Sequence, residues 1–417
     1  MRSLAVFLEI QGEQRRVGSI DGDSYLDSHF RYDPDYLDSE FGRPISVSLP
    51  LTDEPFSPAQ TKNFFEGLLP EGFSRRAVAA WLKADENDYL SILSSLGREC
   101  IGAIKIIEGS DDTDAGYIPL STKRVRELAA EGATRSTEIL METHLSLAGA
   151  TGKVGLYYDE PKHKWYLPQG DAPSTHIVKQ SHVRLKDIVL NEQLCMQTAR
   201  LVGIDVPESF IVSTGNGTDP EILFATKRYD RTFTGNHFTG RLQIPSRLHQ
   251  EDFSQAMGIP ATEKYESENH HYLRRMFELI RAYTADPIAE QLKLWKMLVF
   301  HFLIGNTDAH IKNISLLYSS DLKKISLAPA YDIVSTVVYD LTDEMSIFLG
   351  GEVYLSKMNR STFAAAAAEA GLTERMAMKI FDETADVFEK SLSEATKTLE
   401  AAGFTKAGEL KEKILRR

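Results

Sequence analysis

The sequence predicts an α+β protein of two lobes, the second mainly helical, preceded by an additional N-terminal α+β subdomain. Three observations predict it. Short alternating segments of the strand kind recur up to Lys227, and apolar residues return every three or four positions through most of the chain after Asp252. Between a first module and the rest, Asp111-Asp112-Thr113-Asp114-Ala115-Gly116 is an acidic, small-residue run that reads as a linker. The division that follows is 1–110, 117–228 and 229–417, in keeping with 417 residues at about 150 per domain.

Taken in order, residues 4–10 and 15–20 alternate as a hairpin around Gln11-Gly12-Glu13, and 45–49 reads as a further strand. Ser57 caps and Pro58 opens a helix bearing Phe64, Phe65 and Leu68; a second helix carries Val78 and Trp81, and 90–96 precedes Gly97 and Gly102. No titratable cluster here suggests catalysis, so the module reads as a unit for packing or partner binding. Past the linker, a short helix near 123–130 leads to Leu145-Ser146-Leu147-Ala148-Gly149-Ala150-Thr151-Gly152-Lys153. A hairpin of 154–158 with 164–167 follows, then the strand Thr175-His176-Ile177-Val178-Lys179, a helix opened by Asn191-Glu192 and stopped at Gly203, and strands at 210–213 and 222–226. Lys227-Arg228-Tyr229-Asp230-Arg231 leaves the last strand in extended form, a position that suits a hinge between lobes.

The rest is mostly helical. Residues 272–283 form one helix, and Asp286 caps and Pro287 opens another whose buried face carries Ile288, Leu292, Trp295, Leu298, Val299 and Phe302, with Gly305 at its end. Residues 361–370 end at Gly371, and 373–401 is amphipathic with Met376, Ile380 and Val387 on one face.

Composition narrows the function. Hydrophobic residues at 42% and charged residues at 26% suit a chain with a sizeable core. A net charge of −13 argues against a protein that grips nucleic acid by itself, since phosphate binding needs a basic footprint. Cys100 and Cys195 form neither a CxxC pair nor a disulfide framework, which fits a reducing compartment. The start of the chain lacks a charged-then-apolar signal core, and the longest strongly apolar run, 297–304, falls far short of a membrane span. The expectation is a soluble cytoplasmic protein with no membrane partner.

The chemistry concentrates after Gly305. In Gly305-Asn306-Thr307-Asp308-Ala309-His310-Ile311-Lys312-Asn313, polar residues come straight off a buried helix, and Asp332 lies one hairpin later. Asp308, Asn313 and Asp332 can bring three oxygen ligands to one point, the set that phosphoryl transfer needs to orient a hydroxyl and hold Mg²⁺. An Asx-rich turn that satisfies its own backbone is the bland alternative. The run 145–153 looks like a phosphate cradle, although it is not a Walker A loop and a glycine turn before a hairpin explains it as well. Lys179 shares a strand face with Ile177 and is either held against the sheet's covered side or snorkels outward. Loop, hairpin, lysine strand and glutamate helix in that order are the layout of a kinase small lobe.

Assembled, these blocks resemble the HipA family, the kinase toxins of bacterial type II toxin–antitoxin pairs, across nearly the whole chain. The resemblance is carried by Ser146-Leu147-Ala148-Gly149-Ala150 with Lys153, by the Lys179 strand, Asn191-Glu192, Arg228-Tyr229-Asp230-Arg231, Arg247-Leu248-His249-Gln250-Glu251-Asp252, the Asp308 loop and Leu327-Ala328-Pro329-Ala330-Tyr331-Asp332, in the family's order. It implies a two-lobed protein-kinase-like fold using ATP and Mg²⁺, with Asp308 catalytic and Asn313 and Asp332 as metal ligands. By the same resemblance Ala148, Gly149, Ala150, Thr151, Gly152, Lys153, Lys179, Lys227, Tyr229 and His310 bind ATP, Glu192 supports the lysine as an ion pair, and Ser146 is autophosphorylated. The sequence departs from the family at Ala150-Thr151-Gly152, where Gln and Glu commonly precede the Lys, and at Lys227, where an acid is frequent. The implied partners are a small helix-turn-helix antitoxin of the HipB kind, DNA only through it, and a protein substrate such as an aminoacyl-tRNA synthetase. A lipid or small-molecule phosphotransferase and a non-catalytic co-repressor subunit are the competing functions.

Overall fold

Gln11 and Gly12 both take positive φ, 55° and 82°, the two-residue turn whose twist closes a tight hairpin, and strands Arg2–Ile10 and Glu13–Gly22 pair across it. The structure, a computed structural model, describes residues 2–109, 115–143, 152–182, 184–339 and 341–416. The expected linker residues 111–114 therefore lie outside the described residues. Two compact units emerge: Met1–Gln180, Ala225–Ala261 and Leu317–Ile325 make one, and Ser181–Phe224, Thr262–Leu316 and Ser326–Arg417 the other.

In the first unit, the opening hairpin is the centre of a four-stranded antiparallel sheet, with His29–Tyr32 on one side and Ile104–Glu108 on the other. Its covered face is aromatic. Phe30 meets Tyr32, Phe56 and Phe65 with ring centroids 4.8, 5.9 and 5.3 Å apart, and each ring contributes roughly 1.5–3 kcal/mol by its burial. Residues 45–49, expected as a strand, form only the isolated bridge of Ser46 with Leu49. The buried Glu251 carboxylate accepts from Ser46 Oγ at 2.5 Å and from the Val47 N–H at 3.0 Å, and the His249 ring pairs with the Ile45 carbonyl at 2.7 Å. Contacts with residues some two hundred positions away take the place of a ladder.

A second antiparallel array in this unit runs in the order Gly116–Pro119, Lys164–Gln169, Lys153–Asp159, His176–Gln180. The helix before it is Thr122–Thr143, 22 residues long rather than the short helix expected near 123–130. Ile139 and Leu140, beyond the expected end, are buried, Leu140 against Ile101 and Ile177, and that burial carries the helix on.

Residues 228–231 sit in a dry ionic cluster. Arg228 donates to Asp230 at 2.9 and 2.7 Å, to Glu99 at 3.2 Å and to the Cys100 carbonyl at 3.1 Å; Arg231 reaches Glu99 and Asp230 at 3.1 Å each. Ser174 N–H and Gly102 N–H add donors to Glu99 and Asp230 at 2.8 Å. Four charged side chains thus bind residues 99–102, 174 and 228–231 together.

In the second unit, the helix Ile188–Val202 ends at Gly203 with φ 85° and starts three residues before its expected opening at Asn191. Pro287–Ile304 follows the sequence reading at both ends: the Asp286 side chain accepts from the Ala289 N–H, and Gly305 at φ 72° stops the helix. Its expected face needs one correction, because Ile288 is exposed. In that first turn Glu290 points inward instead and takes the Leu327 N–H at 3.0 Å. The long helix Glu374–Ala401 is rotated from expectation too: Met376 and Val387 are exposed, while Ala377, Phe381, Thr384, Phe388 and Leu392 are buried. Aromatic packing sets that rotation, since Phe381 meets Phe302 and Phe363 and Phe388 meets Phe300. Among the described residues no helix is long and apolar enough to cross a membrane.

Both thiols are buried, and burial pushes Cys100 up to about 12 and Cys195 up as well, so neither supplies a nucleophile. Burial pushes three imidazoles down, His176 to about 3 and His249 and His301 to about 4, against about 6.5 in an unfolded chain. It raises the Glu251 carboxyl to about 7. Between pH 6.5 and 4.5 the unfolded chain therefore takes up three protons that the native imidazoles refuse, while the native state keeps one on Glu251 that the unfolded chain releases. Native stability should rise with pH across this window, by roughly 2–3 kcal/mol per pH unit at most. Urea midpoints at pH 5 and pH 7 check it: the pH 5 midpoint should be clearly lower, and equal midpoints would contradict the burial of neutral histidines.

Candidate active site

The buried helix Pro287–Ile304 delivers the polar loop, and three side chains hold that loop in shape. His301, in the last turn, is held neutral by burial, and its Nδ1 accepts from Asn306 Nδ2 at 3.1 Å. Asn306, fully buried, returns its Oδ1 to the Asp308 N–H at 3.0 Å. Asn313 Nδ2 donates to the Asp308 carbonyl at 3.0 Å, and its own N–H donates to the His310 carbonyl at 2.8 Å. The Asp308 backbone is thereby fixed on both sides. Tyr265 Oη donates to Asp308 Oδ1 at 2.8 Å, and its ring meets His310 edge-on at 5.3 Å.

The segment of Asp332 is tied to the same loop. Tyr331 Oη donates to the Lys312 carbonyl at 2.9 Å and pairs with Ser315 Oγ at 2.6 Å, so the residues preceding Asn313 and Asp332 are linked directly. Asp332 takes φ 56°, left-handed backbone that Asp tolerates better than most residues and that is over-represented at functional sites. Beyond it, Ser335 Oγ donates to the Ile304 carbonyl at 2.7 Å, and Thr336 Oγ1 accepts from the Thr307 N–H at 2.8 Å. Asn191 closes the assembly: its Nδ2 donates to the Ser335 carbonyl at 2.9 Å and its Oδ1 accepts the Ser335 N–H at 3.0 Å. Glu192, the next residue on that helix, is buried. Asp308 and Asn313 thus belong to one hydrogen-bonded framework within the second unit, and Tyr331 and Asn191, the neighbours of Asp332 and Glu192, are bonded into it.

The lysines belong to the first unit. Lys153 and Lys179 are directly opposed in the antiparallel pair of Lys153–Asp159 with His176–Gln180, and both are buried. Opposed residues share a sheet face, so the two side chains leave the sheet on the same side. A Cβ at Gly152 would lie 2.0 Å from the Gln180 amide nitrogen, so the end of that side chain would have to shift. Ser146, Ala148, Gly149, Ala150 and Thr151 lie outside the described residues. Lys227 pairs with Glu160 at 3.2 Å near the surface, and Tyr229 donates its hydroxyl to Gln250.

Sequence reasoning did not single out Tyr265, nor the bracing roles of Asn191, Asn306 and Tyr331. Asn306 carried a signal, an amide placed against a buried helix end, where a polar side chain needs partners. Tyr265 carried none, lying 43 residues from the acid that it touches.

An aspartate and an asparagine held on one braced loop are oxygen donors of the kind that a phosphotransferase uses. Comparison with known proteins agrees. The chain belongs to the HipA family: the HipA-like C-terminal domain is matched over residues 145–392 and the HipA N-terminal domain over 8–107. It is 33% identical over 408 residues to the Y4mE protein of Sinorhizobium fredii, covering 93% of this chain and 92% of the relative. It is 26% identical over 347 residues to the serine/threonine-protein kinase toxin HipA of Shewanella oneidensis, covering 80% and 76%. A solved Shewanella oneidensis MR-1 complex of HipA, HipB and operator DNA holds a chain of similar fold, with TM-score 0.81 and 23% identity over 99% of this chain and 96% of that one. The chain is thus an enzyme of the HipA type, a serine/threonine protein kinase.

Proposed function

We propose that this protein is an ATP- and Mg²⁺-dependent serine/threonine kinase that acts as the toxin of a type II toxin–antitoxin pair. The observation that carries the reading is the braced loop, in which Asp308 has its backbone fixed by Asn306 and Asn313 and its neighbourhood tied to Asp332 through Tyr331. In this role Asp308 orients the acceptor hydroxyl and takes its proton as the oxygen attacks phosphorus. The side-chain oxygens of Asn313 and Asp332 suit a Mg²⁺ ion, which would neutralise charge on the nucleotide phosphates. Lys153 and Lys179 receive phosphate oxygens, Glu192 supports Lys179, and residues 148–152, Lys227, Tyr229 and His310 complete the nucleotide site. Ser146 is the proposed site of self-phosphorylation.

Residues 1–110 are the proposed contact for a helix-turn-helix antitoxin, in a three-part division with 117–228 and 229–417 as the two lobes. A net charge of −13 favours DNA contact through that partner, as operator binding by the chain alone would lack a basic footprint. A translation component such as an aminoacyl-tRNA synthetase is the proposed target. Incubation of the purified chain with γ-labelled ATP and Mg²⁺ tests the reading. Label should enter the protein itself, with mass spectrometry placing it on Ser146. Label passing only to lipid or small-molecule extracts would favour the alternative phosphotransferase, and no transfer at all a non-catalytic subunit.

A further inference from the structure

A kinase acceptor must present its hydroxyl to the catalytic carboxylate at hydrogen-bond distance. In this protein a hydroxyl already stands there, since Tyr265 Oη donates to Asp308 Oδ1 at 2.8 Å. The chain on either side of Tyr265 is fastened to the elements that carry Asp308. The Glu266 N–H donates to the Ser346 carbonyl at 2.9 Å, and Ser346 in turn donates its N–H and Oγ to the Thr307 carbonyl at 3.0 and 2.5 Å. The Glu266 carboxylate accepts the N–H groups of Tyr272 and Phe348 at 2.8 and 2.7 Å, and Tyr272 Oη donates to the Glu263 carbonyl at 2.5 Å. The backbone of Tyr265 is therefore held in register with the catalytic loop. Its side chain is 50% exposed, with the His310 ring edge-on to it and Lys264 Nζ over its ring at 5.3 Å.

We infer that Tyr265 caps the acceptor seat: its phenol occupies the place of the incoming hydroxyl on Asp308, and an acceptor must displace it before transfer. The inference rests on Asp308 being the residue that takes the acceptor's proton. A mere positioning role is the less economical account, because Asn306 and Asn313 already fix the Asp308 backbone without help from Tyr265. The cap also gives a serine/threonine kinase a means to keep water, the smallest competing acceptor, off its carboxylate until a protein hydroxyl arrives.

ATP hydrolysis by the full chain with Mg²⁺ and no protein acceptor, where water is the only acceptor, tests this. Tyr265→Phe should raise kcat for hydrolysis by about three- to tenfold, the factor set by one net hydrogen bond, with KM for ATP and melting temperature unchanged. Tyr265→Leu, which also drops the ring contact with His310, should show the same rise. Equal or slower hydrolysis in both variants overturns the cap, slower hydrolysis being the sign of a positioning residue. In an Asp308→Asn background Tyr265→Phe should have no effect. A rise that persists there overturns the assignment of Asp308 itself, so the two failures are told apart.

Discussion

Asp308→Asn should lower phosphoryl transfer at least about a hundredfold, because a neutral amide can neither take the proton of the attacking hydroxyl nor hold it in line as a carboxylate does. The substitution is nearly isosteric, and the bonds that brace this position use its backbone: the Asp308 N–H to Asn306 and its carbonyl from Asn313. The melting temperature should stay within a degree or so of the parent, and the loss should fall on kcat with little change in ATP affinity. Single-turnover transfer from ATP, read beside a thermal melt, separates the two. Near-normal turnover in a folded Asp308→Asn protein would remove this residue from the reaction.

The largest stability effect is expected at Arg228. Its guanidinium is nearly inaccessible, pairs with Asp230 through two nitrogens and reaches Glu99 and two further oxygens, those of Ser174 and Cys100. Removing one partner of a buried ionic cluster leaves uncompensated charge, which costs about 3–5 kcal/mol. After Arg228→Ala, Arg231 alone would face both Glu99 and Asp230 in a dry site. By contrast Lys227→Ala, one residue earlier, breaks only a partly exposed pair with Glu160, worth about 0–1 kcal/mol. Urea unfolding of the two variants side by side should show a large loss for the first and almost none for the second. Equal midpoints would mean that the cluster contributes nothing net.

What the sequence made legible, and what it hid, follows from the range of each interaction. The boundaries of Pro287–Ile304 are written in neighbours, an Asp cap, a Pro opening and a Gly stop, and they came out as read. The loop of Asp308 and Asn313 stood out as a candidate site because phosphoryl transfer needs oxygen donors near one another, and the chain places two of them five residues apart. Where burial is decided at long range, local pattern misled. Residues 45–49 alternate like a strand, yet Glu251 captures Ser46 and Val47 from 205 and 204 positions away. The long C-terminal helix was recognised as amphipathic, but which side faces inward depends on Phe300, Phe302 and Phe363 elsewhere in the chain. Glu99 gave no hint of its place beside Arg228 and Arg231, because nothing near position 99 records partners 129 and 132 residues ahead.

The opposed pair of Lys153 and Lys179 has a bearing on which changes this sheet can tolerate. Their separation is a property of strand register, and a slip by one residue would send one of them to the other face of the sheet. A substitution that shifted the pairing would therefore part the two charges without removing either of them.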